Sequence, residues 1–167
     1  MNDSINIAKP SRMMEAVGER IAASAYPFRH CVKLQIRFSD IDILGHVNNN
    51  AYMSMLDVGK IRYYADTLGN ELDYHDIRAV VVNVNCNFLA PTYIDEPIEV
   101  WTASTHIGHR SFTIEQRIIN SETGQQKCQS VTTLCGFDPA SGQGAPLEKS
   151  WIEAIERYEG RSLQQTH

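Results

Sequence analysis

A single helical segment constrains the fold of this chain more than any other feature of the sequence. Residues 51–69, AYMSMLDVGKIRYYADTLG, carry apolar side chains around most of a helical circumference. A helix that is apolar on nearly every side is surrounded by protein rather than packed on a surface. The asparagines at 48–50 can supply its N-cap, and Gly69 is placed to end it. We therefore expect one long, central helix.

Strand-like segments stand on both sides of this helix in the sequence. Before it, polar residues alternate with the apolar residues Val32, Leu34, Ile36 and Phe38. This period of two is typical of a half-buried strand. After the helix come four more alternating runs, at 79–90, 97–107, 110–119 and 127–138. Short connections containing Pro, Gly or Asn separate them, which predicts an antiparallel meander.

The order of these elements predicts the α+β class. A five-stranded antiparallel sheet that curls around one long central helix buries both with few elements. We expect this domain to span 30–140, with a C-terminal helix and tail at 141–167. A helical N-terminal extension is expected at 1–29, where Met13, Val17 and Ile21 have helical spacing. The open edges of such a sheet favour pairing with another copy.

Length and charge limit the possible functions. The chain has 167 residues, enough for one domain, and a formal net charge of −5 at pH 7. That charge disfavours a general electrostatic contact with nucleic acid. No segment approaches the roughly 18 apolar residues of a membrane span, and no signal peptide is recognisable. We expect a cytoplasmic protein with neither a nucleic acid nor a membrane partner.

The cysteines give no sign of a metal site or a disulfide framework. The four cysteines are scattered along the apolar runs, at Cys31, Cys86, Cys128 and Cys135. They lack the close spacing of metal ligands. We expect four reduced thiols in or near the core.

Polar side chains concentrate between the first strand and the helix. This segment contains Asp40, Asp42 and His46, followed by the asparagines at 48–50. The first turn of a helix has free N–H groups and a partial positive charge, so it can polarise a substrate carbonyl. On the residues alone, a turn followed by a helix cap is the favoured interpretation. Three potential ligands on one loop are a common accidental composition, so we expect no metal.

Three stretches of the sequence resemble the hotdog-fold thioesterases, specifically the 4-hydroxybenzoyl-CoA thioesterase-like family. Residues 39–47, S-D-I-D-I-L-G-H-V, are followed by Asn48, Asn49 and Tyr52, and resemble the pattern that precedes the family's central helix. F-L-A-P at 88–91 and I-G-H-R-S-F at 107–112 resemble two weaker blocks of the family. The resemblance covers 31–138 and implies a single hotdog domain.

The resemblance implies hydrolysis of an acyl-CoA thioester to a free acid and CoA, without a metal or other cofactor. Asp42 matches the family's catalytic carboxylate, which acts as a nucleophile or as a general base, and the sequence leaves both routes open. Asn49 matches the position whose backbone N–H faces the thioester oxygen. Gly45 permits the turn between them. His46 is a further catalytic candidate, although a histidine in such a loop more often has a structural role.

Substrate binding is expected from residues on the helix and on one hairpin. Asn48 and Tyr52 belong to the helix motif, and His109, Arg110 and Ser111 form a hairpin at which a cation and a hydroxyl can meet CoA phosphates. Many family members have Arg or Lys followed by Ser where this chain has His109 and Arg110. The alternative is an ordinary solvated hairpin.

Two other functions remain open at this point. One is hydrolysis of an acyl-carrier-protein thioester, which uses the same chemistry on a protein partner. The other is a non-catalytic acyl-CoA-binding hotdog module. Because the family's sites lie between subunits, the resemblance also implies a homodimer or homotetramer.

Overall fold

The computed structural model describes residues 26–69 and 78–164. Its elements, in chain order, are β1 (His30–Leu34), a 3₁₀ turn (Phe38–Asp40), α1 (Asn49–Leu68), β2 (Ala79–Phe88), β3 (Ile98–Ile107), β4 (Ser111–Asn120), β5 (Gln126–Asp138), β6 (Gln143–Gly144) and α2 (Lys149–Glu159). Within these described ranges, no helix is long and apolar enough to span a membrane. The predicted helix at 1–29 lies outside them, apart from residues 26–29, which are not helical.

The central helix α1 forms where the sequence predicts it. Asn48 is its N-cap, and the Asn48 side-chain oxygen accepts a hydrogen bond from the Ala51 N–H at 2.8 Å. Gly69 ends the helix with a φ of 103°, in the region that favours glycine. One face is buried against the sheet, whereas Val58 on the opposite face is 43% exposed. In the single chain, α1 is therefore covered on one side.

One antiparallel sheet covers α1 and confirms the α+β prediction. Its strand order is β1-β3-β4-β5-β2, and the two-residue β6 pairs with β5 as a sixth strand. Helix and sheet approach closely at Gly59, where an added Cβ would lie 2.6 Å from Val100 Cγ1. The core fills this interface, with fully or almost fully buried Tyr63, Tyr64, Val100, Phe112, Ile114 and Ile118.

The predicted meander of the last four strands is wrong in one pairing. β3, β4 and β5 follow one another as a meander, but β2 pairs with β5 at the far side of the sheet instead of with β3. The connection from β2 to β3 contains Pro91 and Pro97. It runs past the start of α1, where Thr92 accepts a hydrogen bond from the Val47 N–H. A crossing connection of this kind replaces the tight hairpin that a meander requires.

The first strand is shorter than its alternation predicts. β1 ends at Leu34, and Ile36 is buried beyond it. Phe38, expected on the inward face of the strand, lies in the 3₁₀ turn and is 88% exposed. The 3₁₀ turn changes the direction of the chain and so ends the period of two before Phe38.

β2 is an edge strand with unusual apolar exposure. The alternation at 79–90 predicts that Val80, Val82 and Val84 face the interior, yet they are 40%, 55% and 42% exposed. An irregularity in the pairing with β5 falls between Val81 and Asn83. A long edge strand with exposed valines is a surface suited to pairing with another chain.

The second helix is anchored through a buried carboxylate. Glu159, at the C-terminal end of α2, accepts hydrogen bonds at Oε1 from the Tyr63 hydroxyl at 2.7 Å and from the Ser104 N–H at 2.9 Å. Burial raises the pKa of Glu159 and outweighs these hydrogen bonds, which lower it. The four cysteines are free thiols, as expected.

Candidate active site

The loop between β1 and α1 is closed at its base by backbone pairing. Ile41 and Val47 form an isolated antiparallel bridge, and the Asp42 N–H donates to the His46 carbonyl at 2.9 Å. Gly45 has a φ of 79°, which a residue with a side chain rarely adopts. The loop is therefore a tight turn that projects Ile43 and Leu44, both largely exposed.

Asp40 anchors this loop. It is 4% exposed, and its carboxylate accepts hydrogen bonds from the Arg37 backbone N–H at 2.8 Å and from the Arg37 guanidinium at 2.9 Å. Burial alone would raise the pKa of Asp40, but the hydrogen bonds from Arg37 hold it below its usual range. The Asp40 carbonyl also accepts from the Asn48 N–H. Asp40 thus joins Arg37, in the segment that follows β1, to the start of α1.

Asp42 lies in a different environment from its neighbour Asp40. Its side chain is exposed, and Oδ1 accepts a hydrogen bond from the Leu44 N–H at 2.8 Å. This single bond orients the carboxylate without burying it. Asp42 is therefore the carboxylate of this loop that an external molecule can reach.

The N-terminus of α1 offers free N–H groups close to this loop in sequence and in space. Asn48 accepts hydrogen bonds from two N–H groups of the first turn. Its side-chain oxygen accepts from the Ala51 N–H, and its carbonyl accepts from the Tyr52 N–H. Among the residues that the structure describes, none accepts a hydrogen bond from the N–H of Asn49, which is exposed. This N–H is the first of α1 and points out of its positive end.

Other side chains of the motif are held by structural contacts. The Tyr52 hydroxyl lies 2.7 Å from Thr92 Oγ1. The Tyr52 ring packs against the Phe88 ring, with 5.3 Å between the ring centroids. The half-buried His46 stacks edge-on against Tyr93 at 5.2 Å. The Asn48 amide donates to the Asp40 carbonyl at 3.1 Å. The predicted roles of Tyr52 and Asn48 in binding, and of His46 in catalysis, remain predictions.

Within one chain, the hairpin at 109–111 is remote from Asp42. The Asp42 loop lies at the Ile98 end of β3, since Leu34 pairs with Ile98, whereas the hairpin follows Ile107 at the other end. Ten residues of strand separate the two ends, or roughly 30 Å at about 3.3 Å per residue. His109 and Arg110 are exposed and Ser111 is half-buried. The predicted phosphate contact thus requires a long ligand or a second chain.

A cavity of about 240 Å³ lies between α1 and the sheet. It is lined by residues of α1, β2, β4 and β5: Met53, Leu56, Asp57, Lys60, Val81, Val84, Gln116, Ser130 and Thr132. Asp57 and Lys60 form an ion pair of 2.7 Å at its wall. No group of three or more His, Cys, Asp or Glu in the described part of the chain is arranged to hold a metal ion.

The polar residues of this cavity were not anticipated from the sequence. A signal was present, because Gln116 stands between Ile114 and Ile118 on the inward face of β4. A polar side chain on an otherwise apolar strand face indicates a buried polar group with a specific partner. The Gln116 side-chain amide donates to the Leu56 carbonyl at 2.8 Å and to Thr102 Oγ1 at 3.2 Å, and the sequence does not predict which turn of α1 lies over Gln116.

Comparison with known proteins places this geometry in a family. Residues 36–155 match the model of the thioesterase-like superfamily. The long-chain acyl-CoA thioesterase FadM of Escherichia coli K12 is 24% identical over 130 residues, covering 75% of this chain and 96% of that protein.

Solved structures show the same fold. A thioesterase from Thermus thermophilus, solved with coenzyme A and zinc, has a TM-score of 0.73 and 26% identity, covering 81% of this chain and 98% of its own. A 1,4-dihydroxy-2-naphthoyl-CoA thioesterase from Synechocystis has a TM-score of 0.68 and 19% identity, covering 75% and 94%.

The fold and the family match define a hotdog-fold thioester hydrolase. The match over 36–155 spans most of the chain, and the chain belongs to the thioesterase-like superfamily. The predictions of the fold, the family and the enzyme class are confirmed. The roles of individual residues and the acyl group of the substrate stay predictions.

Proposed function

We propose that this enzyme hydrolyses acyl-CoA thioesters, with Asp42 as the reacting carboxylate. The observation that carries the proposal is the contrast within one loop. Asp40 is buried and ion-paired, whereas Asp42 is exposed and lies seven residues before the free N–H of Asn49. A thioester carbonyl directed at this N–H gains stabilisation as its oxygen becomes negative.

Two routes are compatible with this arrangement. In the first, Asp42 attacks the thioester carbon, CoA leaves as the thiolate, and water hydrolyses the resulting anhydride. In the second, Asp42 removes a proton from a water molecule, and the hydroxide attacks the same carbon. Both give a free acid and CoA. After a single turnover in ¹⁸O-water, label in Asp42 would identify the first route, since only an anhydride allows water to attack the carbonyl carbon of Asp42.

We also propose that the functional unit is a homodimer formed through β2, or a homotetramer made of two such dimers. Antiparallel pairing of β2 with its own copy brings the Ala79 end of one strand beside the Phe88 end of the other. Ala79 pairs with Gly136, whose N–H donates to the Arg110 carbonyl. Phe88 contacts Tyr52 in the first turn of α1. The partner's Arg110 would thereby approach this chain's Asp42 loop.

The test of the proposed function is a hydrolysis panel. CoA thioesters from short to long acyl chains, with an aromatic member, are compared with the same acyl groups on acyl carrier protein. We expect release of CoA from at least one acyl-CoA, with a higher kcat/KM than for the matched carrier substrate. Faster hydrolysis of the carrier substrate would favour an acyl-carrier-protein thioesterase. Binding without hydrolysis of any thioester would favour a non-catalytic module. A cytoplasmic location stays a prediction.

A further inference from the structure

A β-bulge in β5 directs a lysine side chain out of the sheet ladder. The register between β4 and β5 shifts between Ile118 and Ile119, because β5 has one extra residue there, Lys127. A bulge of this kind bends a strand and re-aims a side chain. The Lys127 side chain is 3% exposed, and its Nζ donates to the Pro91 carbonyl at 2.8 Å and to Glu96 Oε1 at 2.7 Å. Both acceptors lie in the connection between β2 and β3.

The backbone of Lys127 contacts the same connection, residues 89–97. The Lys127 carbonyl accepts hydrogen bonds from the Leu89 N–H at 2.8 Å and from the Ala90 N–H at 3.3 Å. One residue of β5 therefore holds the 89–97 connection near both of its ends, through its carbonyl at the start and through its ammonium group near the finish.

Glu96 is the acidic partner in this contact. Its carboxylate also accepts hydrogen bonds from the Tyr93 N–H at 2.9 Å and from the Asn120 side chain at 3.0 Å. Burial alone would raise the pKa of Glu96, but the hydrogen bonds from Lys127 and the Tyr93 N–H hold it below its usual range. A buried ion pair often stabilises a fold no more than apolar residues of similar volume, because removing the charges from water is costly. The location of this pair indicates a geometric role.

The 89–97 connection in turn contacts the candidate active site through Thr92. This residue is 1% exposed; its carbonyl accepts from the Val47 N–H at 2.9 Å, and its hydroxyl lies 2.7 Å from the Tyr52 hydroxyl. Val47 precedes the N-cap of α1 and forms a bridge with Ile41, the residue before Asp42. The connection therefore contacts both the Asp42 loop and the first turn of α1.

We propose that Lys127 is a positioning residue for thioester hydrolysis, which holds the Asp42 loop against the N-terminus of α1 through Glu96 and the 89–97 connection. The proposal rests on the proposed function of Asp42. The reaction depends on where the carboxylate lies relative to the N–H of Asn49, and a displacement of about 1 Å can lower a rate by about 10²-fold. Supporting residues that fix such a geometry are as necessary as the reacting groups themselves.

The test removes both charges of the ion pair in one variant. In Lys127→Met combined with Glu96→Gln, the side chains keep their approximate length, and the glutamine keeps an acceptor for the Tyr93 N–H. On the CoA thioesters of the hydrolysis panel, we expect kcat to fall by at least about 10-fold. KM should stay within a few-fold of the wild type, since the predicted phosphate contacts at 109–111 lie at the other end of β3. The melting temperature should stay close to that of the wild type.

The matched control is a second buried ion pair of the same sheet. Arg117 Nη2 lies 2.7 Å from Glu115 Oε1, and the two side chains are 9% and 10% exposed. Both alternate with Ile114 and Ile118, so they lie on the face of β4 that points away from α1. Arg117→Met combined with Glu115→Gln should leave kcat unchanged.

Hydrogen exchange of the Val47 amide is a second readout, independent of catalysis. Its bond to Thr92 protects this amide, so weaker positioning of the connection should speed its exchange by about 10-fold or more in the Lys127 variant. Exchange of the same amide in the Arg117 variant should match the wild type.

The outcomes separate this proposal from the proposed function. A kcat within a few-fold of the wild type in the Lys127 variant, or an equal loss in the Arg117 variant, would overturn the positioning role and leave the hydrolase intact. If the Lys127 variant does not fold, Glu96→Gln alone is judged by the same criteria. If the wild type hydrolyses no thioester, the Val47 amide decides. Faster exchange in the Lys127 variant alone would support positioning of the loop, and equal exchange in wild type and variants would overturn it.

Discussion

Asp40 and Asp42 show how one residue of separation assigns different tasks to chemically identical side chains. The Asp40 carboxylate is enclosed by hydrogen bonds from Arg37, and its pKa is held below the usual range by them against the effect of burial. The Asp42 carboxylate has one backbone donor and faces solvent. Sequence order alone does not separate the two environments. The 3₁₀ turn that ends at Asp40 does so, because it directs one carboxylate inward.

His30 gives a prediction about the effect of pH on stability. Burial lowers the pKa of His30, and the attraction of Asp66, 3.3 Å from Nε2, offsets this only in part. The unfolded chain, with a histidine pKa of about 6.5, therefore binds the proton first as the pH falls. We expect the free energy of unfolding to decrease below about pH 6.5. Denaturant titrations from pH 8 to 5 measure it.

The control for this prediction is a second histidine. His30→Gln should flatten the pH dependence between pH 7 and 5, whereas His109→Gln, at an exposed position, should leave it as in the wild type. An unchanged slope in His30→Gln would show that another group causes the effect.

At the scale of elements, the contact between α1 and β3 depends on Gly59. In an exposed helix, Gly→Ala is expected to stabilise by roughly 0.5–1 kcal/mol. Here the new Cβ would lie 2.6 Å from Val100 Cγ1 and 3.0 Å from Gln116 Nε2. We expect Gly59→Ala to destabilise by about 1–3 kcal/mol because it overpacks the core. Chemical denaturation measures the change.

A double-mutant cycle isolates the cause. Val100→Ala removes the methyl groups that the new Cβ would meet. Gly59→Ala should therefore lower the free energy of unfolding by less in the Val100→Ala background than in the wild type. Equal destabilisation in both backgrounds would mean that contact with the Val100 side chain is not the cause of the destabilisation.

The elements were more predictable than their arrangement. Neighbours in the sequence determine the helix cap at Asn48, the helix end at Gly69 and the alternation of β3 to β5. The sequence therefore predicts these features. The partner of β2 is set by a connection that crosses the end of the domain, and Phe38 is turned outward by a 3₁₀ turn. Both effects depend on tertiary contacts. The motif predicts the position of Asp42, whereas the cavity also needs Val81 and Val84 of β2, whose partner strand the sequence does not predict.

At the scale of the whole molecule, β2 is expected to hold two copies together. A lysine at Val82, the most exposed valine of β2, would place like charges near each other across the two-fold axis. We expect the wild type to sediment as a dimer or tetramer at micromolar concentration and Val82→Lys to shift towards the monomer. Glu122→Lys, on the turn between β4 and β5, is the control and should sediment like the wild type. A monomeric wild type would contradict the proposed assembly.

A composite site makes a sharper prediction. Arg110→Ala alone should raise KM and leave kcat nearly unchanged, because a phosphate anchor contributes equally to the ground and transition states.

In a mixed dimer of Asp42→Asn and Arg110→Ala chains, one site would combine the intact Asp42 of one chain with the intact Arg110 of the other. We expect about half of the wild-type activity at the wild-type KM. Activity only at the raised KM would mean that each site uses one chain.

The central claim is that Asp42 carries the chemistry while Asp40 supports the loop, and the turnover of Asp42→Asn tests it most directly. This substitution keeps the size of the side chain and an acceptor for the Leu44 N–H but removes the negative charge. We expect kcat to fall by at least about 10²-fold, the range of a positioned acid or base, with an unshifted melting temperature. Asp40→Asn should lower kcat by less than Asp42→Asn does. It should lower the melting temperature by more, because it weakens the contacts with Arg37. An Asp42→Asn enzyme that hydrolyses every substrate within a few-fold of the wild type would contradict the account.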